Sequence, residues 1–343
     1  MLYTDPTTAA RAVAAQIAQA NHVLVLTHVN PDGDAIGSLM GVTHVLRALG
    51  KQVTPMPLSP LPQYAAWLPG LETARVYASG TPLPADIDLI FVVDTASIER
   101  LGRVYPEHAA TLDGLPMIVV DHHVTNDGRG TLNLIQPSAA SACELLYALF
   151  AAMGAPITPA AATCLLLGLT TDTQSFQTSA TVPDSLRAAA ALIDLGADQQ
   201  RITSEVYYAL PAPSALLIGQ ALAVMHCEGG IAWAHVSNTM MVATGAEEEA
   251  ADEVVRVMQR IGGVQALVLF KERGDGTTKI SLRSRPPYDV AALAQTFGGG
   301  GHKQASGATL NVPPAEAETL VLPRLRAMIA PSLPEGRSER GAG

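Results

Sequence analysis

Short apolar strands alternating with amphipathic helices over the first 195 residues predict an α/β protein whose N-terminal part is a doubly wound, mostly parallel sheet. A change of pattern beyond a proline-bearing segment predicts a second, smaller α/β domain. Length agrees, since 343 residues correspond to about two domains. Hydrophobic residues at 48 % and charged residues at 15 % exclude a mostly disordered chain. Aromatic residues make up only 4 %, so Ala, Leu and Val must fill the core.

Residues 7–20 carry an amphipathic helical pattern, and His22 to Thr27 form a short aliphatic strand. The loop Asn30-Pro31-Asp32-Gly33-Asp34 leads into a helix over 35–50, stopped by Gly50. Lys51 to Met56 reads as a strand, whereas the Pro- and Gly-rich stretch 57–85 has no assignable element. Asp88 to Val93 and Met117 to Val120 are further buried strands. Helices follow at 139–153, 159–170 and 184–195, the last stopped by Gly196. These elements delimit a first domain, 1–195. Residues 196–215, polar and carrying Pro211 and Pro213, are predicted as a linker. In the second domain, 216–330, strands are expected at 222–227, 231–236, 265–271, 278–284 and near 306–311. Its helices are expected at 248–260, at 288–297 with Asp289 near the start, and at 314–330. The tail 331–343 is expected to be disordered.

The formal charge of −10, from 21 basic and 31 acidic residues, argues against tracking long duplex DNA through phosphate contacts. It leaves room for a small anionic substrate in a local basic pocket. Cys143, Cys164 and Cys227 are far apart and lack CxxC spacing, which argues against a disulfide framework and a zinc–thiolate site. The N-terminus lacks the basic region and apolar run of a signal peptide, and no run of 18 uninterrupted apolar residues occurs. A cytoplasmic protein with no membrane partner is the expectation.

Three strands of the first domain end alike. The first runs into Thr27-His28 and then Asp32 and Asp34, the second into Asp94, and the third into Asp121-His122-His123. Ligands bind beyond the carboxyl ends of strands in open parallel sheets, so these residues share one rim. Asp172 joins them from a Thr-rich turn after an apolar helix. Each feature alone has a bland reading as a turn, a helix cap or a surface pair; their occurrence at three successive strand ends weakens that reading for the set. Carboxylates and imidazoles without thiolates suit Mn²⁺, Mg²⁺ or Fe²⁺. Clustered carboxylates repel one another unless cations lie between them, and two such cations supply a hydroxide for in-line attack on phosphorus.

In the second domain, Phe297 is followed by Gly298, Gly299, Gly300, Gly301, His302 and Lys303. Glycine N–H groups can form an anion-binding nest, although the pattern is not a Walker A loop. Upstream, Arg283 and Arg285 end a strand. Between Lys271 and Lys303, six basic residues (Lys271, Arg273, Lys279, Arg283, Arg285, Lys303) face three acids (Glu272, Asp275, Asp289), a local positive balance in an acidic chain. Arginine forks suit phosphate and carboxylate. Ser141 with Glu144 has two readings: a capping box, or a helix N-terminus facing substrate phosphate.

The stretches THVNPDGDAIGS, VVD at 92–94, VDHH at 120–123 and TTDT at 170–173 resemble the four motifs of the DHH phosphoesterase superfamily. SLRSR and FGGGGHKQASGA resemble its companion DHHA1 domain. The likeness spans residues from about 20 to 330. The layout is similar to stand-alone, two-domain nanoRNase/pAp phosphatases of the NrnA kind and to stand-alone cyclic dinucleotide phosphodiesterases. It lacks the OB-type addition of RecJ-like exonucleases and the transmembrane segments of membrane-bound relatives.

By this resemblance, His28, Asp32 and Asp94 hold one metal. Asp34, Asp94, His122 and Asp172 hold a second, with Asp94 bridging. Asp121 orients the histidines, and His123 meets the scissile phosphate or leaving oxygen. Arg283, His302 and the backbone of Gly298–Gly301 hold the far end of the substrate, with Arg285, Lys303 and Ser141 as further substrate contacts. The implied activity is Mn²⁺-dependent hydrolysis of short RNA, about two to five nucleotides, and of 3′-phosphoadenosine 5′-phosphate (pAp), in a cleft between the domains. The alternatives are a cyclic di-AMP or pApA phosphodiesterase with the same residues, and a nucleotide sensor without turnover. A homodimer is compatible with the sequence, which displays no readable interface.

Overall fold

The computed structural model describes residues 1–329; the predicted tail 331–343 lies outside the described residues. The chain divides into two units, Met1–Ala209 and Leu210 onward.

The first unit contains β1 (Leu2–Tyr3), α1 (Pro6–Gln19), β2 (His22–Leu26), α2 (Gly33–Ala48), β3 (Gln52–Met56) and β4 (Leu89–Val93). It continues with α3 (Val104–Asp113), β5 (Met117–Asp121), β6 (Leu132–Ile135), α4 (Ala142–Met153), α5 (Pro159–Asp172), α6 (Pro183–Asp194) and α7 (Gln199–Tyr207). The six strands pair in the order β1-β6-β5-β4-β2-β3, every pair parallel. Because side chains alternate along a strand, Val23 and Val25 of β2 enter one core with Ile36, Leu39, Leu146 and Leu165. Leu24 and Leu26 enter the opposite core with Ile98, Leu101 and Leu112. Burial on both faces explains why β2, β4 and β5 read as unbroken apolar runs.

The second unit contains α8 (Ala212–Ala223), β7 (His226–Glu228), β8 (Ile231–Val236), α9 (Asn238–Thr244), α10 (Ala250–Met258), β9 (Ala266–Glu272) and β10 (Thr278–Ser284). It closes with α11 (Val290–Gln295), β11 (Gly300–His302), β12 (Ala305–Leu310) and α12 (Pro314–Ile329). Its sheet order is β11-β12-β10-β9-β8-β7, antiparallel except for β8 and β9.

Several boundaries differ from expectation. Residues 196–215, expected as a linker, are largely helical. Asp198 caps α7 by accepting the Arg201 N–H at 3.0 Å, and Ile202 is buried in the first unit's core. Pro211 and Pro213 open α8, where a missing N–H is harmless, so α8 reaches into the strand expected at 222–227. The glycine run is part of a hairpin: β11 pairs with β12, placing Gly300 opposite Gly307 and His302 opposite Ala305. Three of its glycines have steric reasons. Gly298 has φ +74° and Gly301 φ +138°, and a Cβ on Gly299 would lie 2.1 Å from the Gly307 carbonyl. Gly300 has neither reason: a Cβ there faces open space and its φ is not positive.

Candidate metal centre

Adjacent strands β5, β4 and β2 deliver their C-terminal residues to one place. His28 follows β2. Asp32 caps α2, accepting the N–H groups of Asp34 and Ala35 at 3.1 Å each, and Asp34 occupies the helix's first turn. Asp94 follows β4 in the left-handed region, φ +49°, held there by its N–H donating to Val120 at 3.0 Å. Asp121 ends β5 and leads into His122 and His123. Asp172, the last residue of α5, arrives from a helix packed on α2.

Asp94 lies between the histidines of the two flanking strands. Its Oδ2 is 3.6 Å from His28 Nε2, and its Oδ1 is 3.6 Å from His122 Nε2. His122 Nε2 is also 3.8 Å from Asp34 and 3.6 Å from Asp172. These separations are too long for hydrogen bonds. They are close to what two ligands of one ion require, since bonds of about 2.1 Å place ligand atoms roughly 3–3.5 Å apart. Ligand atoms of His28, Asp32 and Asp94 lie within 4.8 Å of one another, and those of Asp34, His122 and Asp172 do likewise.

Three observations test whether a divalent cation fits. First, Asp94 Oδ1 is buried without a hydrogen-bond partner. Second, His28 Nδ1 is 2.8 Å from the Val29 carbonyl and His122 Nδ1 is 3.4 Å from that of Ala139, which turns Nε2 of both rings toward the carboxylates. Arg100 Nη2 lies 3.3 Å from the same nitrogen of His28, and the shorter carbonyl contact makes that nitrogen the donor. Third, the charges do not balance on protons alone. Burial, reinforced by Asp94, pushes Asp34 well above the usual carboxylate range, and burial with Asp94 and Asp32 nearby raises Asp172 to about 6. Burial favours neutral His122, but Asp94, Asp34 and Asp172 around it raise it to about 10. Asp94, despite its burial, is held low by His122 and His28. Added positive charge relieves all of these conflicts, so the residues fit the group.

Asp121 is fully buried and accepts three donors: the His122 N–H at 2.8 Å, His123 Nδ1 at 2.8 Å and Asn126 Nδ2 at 2.7 Å. His123 Nδ1 is thereby committed, leaving Nε2 of a partly exposed ring for other work. Asn126 escaped the sequence reading because an Asn in a short loop carries no signal of its own. Its amide also donates to the Thr95 carbonyl at 2.9 Å, tying the end of β4 to Asp121.

Ser141 is a correction. It is fully buried, and its hydroxyl accepts the Glu144 N–H at 3.0 Å while Glu144 accepts the Ala140 N–H at 3.3 Å. The helix cap therefore occupies the Ser141 hydroxyl, while Glu144 reaches past it to the residue before the cap. The free N–H groups of Ala142 and Cys143 donate to Asp34 at 2.6 and 3.0 Å, so this helix start serves a carboxylate of the protein.

In the second unit, the register places Arg283 and His302 both opposite Ala305, on the two sides of β12. Directly paired residues point to the same face, so the two side chains flank one row. Arg283 is half-buried, which lowers its pKa, and its guanidinium donates to the Leu282 carbonyl at 2.9 Å. Arg285, more exposed, sits 3.4 Å from the Ile261 carbonyl. His302 and Lys303 are exposed at the hairpin end.

Residues 22–169 match the DHH family, N-terminal domain, and residues 236–329 match the DHHA1 domain. The chain belongs to the DHH family. A Thermus thermophilus relative, the bifunctional oligoribonuclease and PAP phosphatase NrnA, is 33 % identical over 291 residues, covering 84 % of each chain. The cyclic-di-AMP phosphodiesterase PdeA of Listeria monocytogenes is 29 % identical over 88 % of this DHH chain and 47 % of its own. Among solved structures, an exopolyphosphatase-related protein from Bacteroides fragilis superposes with a TM-score of 0.85 at 25 % identity, covering 94 % of this chain and 97 % of that one. Enzymes of this family hydrolyse phosphoester bonds and depend on metal ions. No single helix among the described residues is long and apolar enough to cross a membrane.

Proposed function

We propose that this chain is a cytoplasmic, Mn²⁺-dependent phosphodiesterase and phosphatase acting on short oligoribonucleotides and pAp. The carrying observation is Asp94, whose two oxygens serve the His28 group and the His122 group at equal distance. His28, Asp32 and Asp94 would hold one ion, and Asp34, Asp94, His122 and Asp172 the other. When bound, such a pair supplies Lewis-acid polarisation of the phosphoryl group and an activated water. The chain's own residues do the rest. Asp121 accepts the His123 Nδ1–H and so aims Nε2 at the open side of the ring, from which the doubly protonated ring gives its Nε2 proton to the departing oxygen. Arg283 and His302, with the backbone of Gly298–Gly301 and the nearby Arg285 and Lys303, recognise the terminal phosphate or sugar of a short substrate. The identity of the first relative, extending over both domains, supports nanoRNA and pAp as substrates.

Initial rates with Mn²⁺ on a 5′-phosphorylated dinucleotide, a long RNA strand, pAp and cyclic di-AMP test this reading, with Asp94→Ala as control. Fast dinucleotide and pAp turnover, slow long-strand turnover and an inactive Asp94→Ala are expected. A preference for cyclic di-AMP would move the protein to second-messenger turnover. Tight nucleotide binding without product would make it a sensor.

A further inference from the structure

Asp34 is enclosed by backbone. Its carboxylate accepts two N–H groups from the start of α4, and α5 crosses directly behind it. At the crossing stands Gly168, where a Cβ would lie 2.7 Å from Asp34 Oδ1, 3.0 Å from Asp34 Cα and 2.3 Å from Cys143 Sγ. Gly37, one turn along α2, shows the same closeness from the other side: its Cβ would meet the Cys164 carbonyl at 2.5 Å and the Gly168 nitrogen at 3.0 Å. The two helices touch backbone to backbone beneath one acidic residue. Farther from the cluster, Gly41 meets only the buried Leu165 side chain, Cδ2 at 2.6 Å and Cγ at 2.9 Å, and neither backbone nor an acidic residue.

We propose that Gly168 is a positioning residue: the missing side chain is what allows Asp34 to sit where the Asp34–His122–Asp172 group needs it. The inference rests on reading the cluster as a two-ion centre. Ordinary contact begins near 3.4 Å, so an alanine methyl would displace Asp34 Oδ1 by about 0.7 Å. Metal–ligand distances tolerate only about 0.2 Å. Asp34 cannot yield without breaking its bonds to Ala142 and Cys143. Asp94, whose unpartnered Oδ1 faces the same group, would lose a co-ligand while keeping His28 and Asp32.

Mn²⁺ binding to full-length, metal-stripped protein tests this by electron paramagnetic resonance, independently of turnover. The wild type is expected to bind two ions with the signature of a coupled pair. Gly41→Ala, which crowds buried Leu165 but none of the acidic residues, should melt lower and still bind two ions with the coupled signal. Gly168→Ala should retain one ion at wild-type affinity, bind the second at least tenfold more weakly and lose the coupled signal. Should Gly168→Ala fold poorly, Cys143→Ala/Gly168→Ala removes the sulfur clash and keeps the one with Asp34. That variant should melt cooperatively and still bind one ion tightly, whereas Cys143→Ala alone should bind two. Two tightly bound ions in Gly168→Ala or in the double variant overturn the assignment, as does loss of both. A double variant that does not fold reduces Gly168 to a packing role. A wild type binding fewer than two ions overturns the two-ion reading itself.

Discussion

Removing a carboxylate from the proposed metal centre should stabilise the protein when ions are absent. Asp172 is the clearest case. Buried beside Asp94 and Asp32, its carboxyl rises from an ordinary 3.8 to about 6. A folded-state pKa above the unfolded one means that ionising the group opposes folding. The opposition is absent below about pH 4, grows as pH rises and is complete above about pH 6. Each pKa unit corresponds to about 1.4 kcal/mol, so the upper bound is about 3 kcal/mol. The side chain is 31 % exposed, and solvent screening reduces this to roughly 1–2 kcal/mol. Asp172→Asn should therefore raise the melting temperature of chelator-treated protein by about 3–6 °C at pH 8, with the gain vanishing near pH 4. Mn²⁺ should reverse the order. An ion at a hundred times its dissociation constant stabilises the wild type by about 2.7 kcal/mol, and the variant, missing a proposed ligand, by less. Differential scanning fluorimetry with and without Mn²⁺ over a pH series reads both effects. If metal-free Asp172→Asn were less stable than wild type at pH 8, or if Mn²⁺ stabilised both equally, the charge-repulsion account would be refuted.

Asn126→Ala deletes donors to Asp121 and to the Thr95 carbonyl; steady-state kinetics should show kcat falling tenfold or more at unchanged KM, with a stability loss of about 1–3 kcal/mol by urea titration. Gln174, Ser175 and Phe176 run consecutively at φ +49°, +57° and +65°, and Gln174→Gly should relieve about 1 kcal/mol of this strain, read as a higher urea midpoint. Gly299→Ala forces a methyl against the Gly307 carbonyl and should lower stability by more than 2 kcal/mol, whereas Gly300→Ala, with open space around it, should leave the melting temperature unchanged. A KM rise in Gly300→Ala at wild-type stability would tie that backbone to substrate, and an unchanged KM would remove it.

How much of this was legible beforehand depends on whether a residue's role is local. His28, Asp32, Asp94, Asp121 and His122 could be read because they follow apolar runs that can only be buried parallel strands. Asp32 and Asp34 also mark a helix start by type and spacing. The edges of that sheet were not legible. β1 is two residues long, and β6 carries Asn133, whose amide satisfies the Met1 and Gly130 carbonyls. α3 was missed because the chain breaks helical geometry inside it, at His108. Residues 196–215 misled by composition. Polar residues with two prolines describe a linker and also the exposed face of α7 and the first turn of α8. For Ser141 the capping signal was present; that α4 then aims its free N–H groups at Asp34, 108 positions earlier, is a tertiary fact. The four glycines looked alike in sequence and are not alike in space.

The costly features of the first unit collect around the proposed centre. Asp94 sits in a left-handed backbone, three left-handed residues begin two positions after Asp172, α2 and α5 meet without side chains at Gly37 and Gly168, and three carboxylates surround one imidazole. None of this improves folding. It persists because the rest of the unit over-determines it: β4 lies between β2 and β5 with every residue buried, so the end of β4 cannot shift. The strand order also explains why Asp94 rather than another acid holds the middle. His28 and His122 stand on strands to either side of β4, each about one strand spacing away. Only a residue at the end of β4 reaches both with a single carboxylate, and only a backbone turned out of the pleat directly after Val93 points it at both. The convergence that destabilises the ion-free protein is thus the geometry that a pair of cations would require.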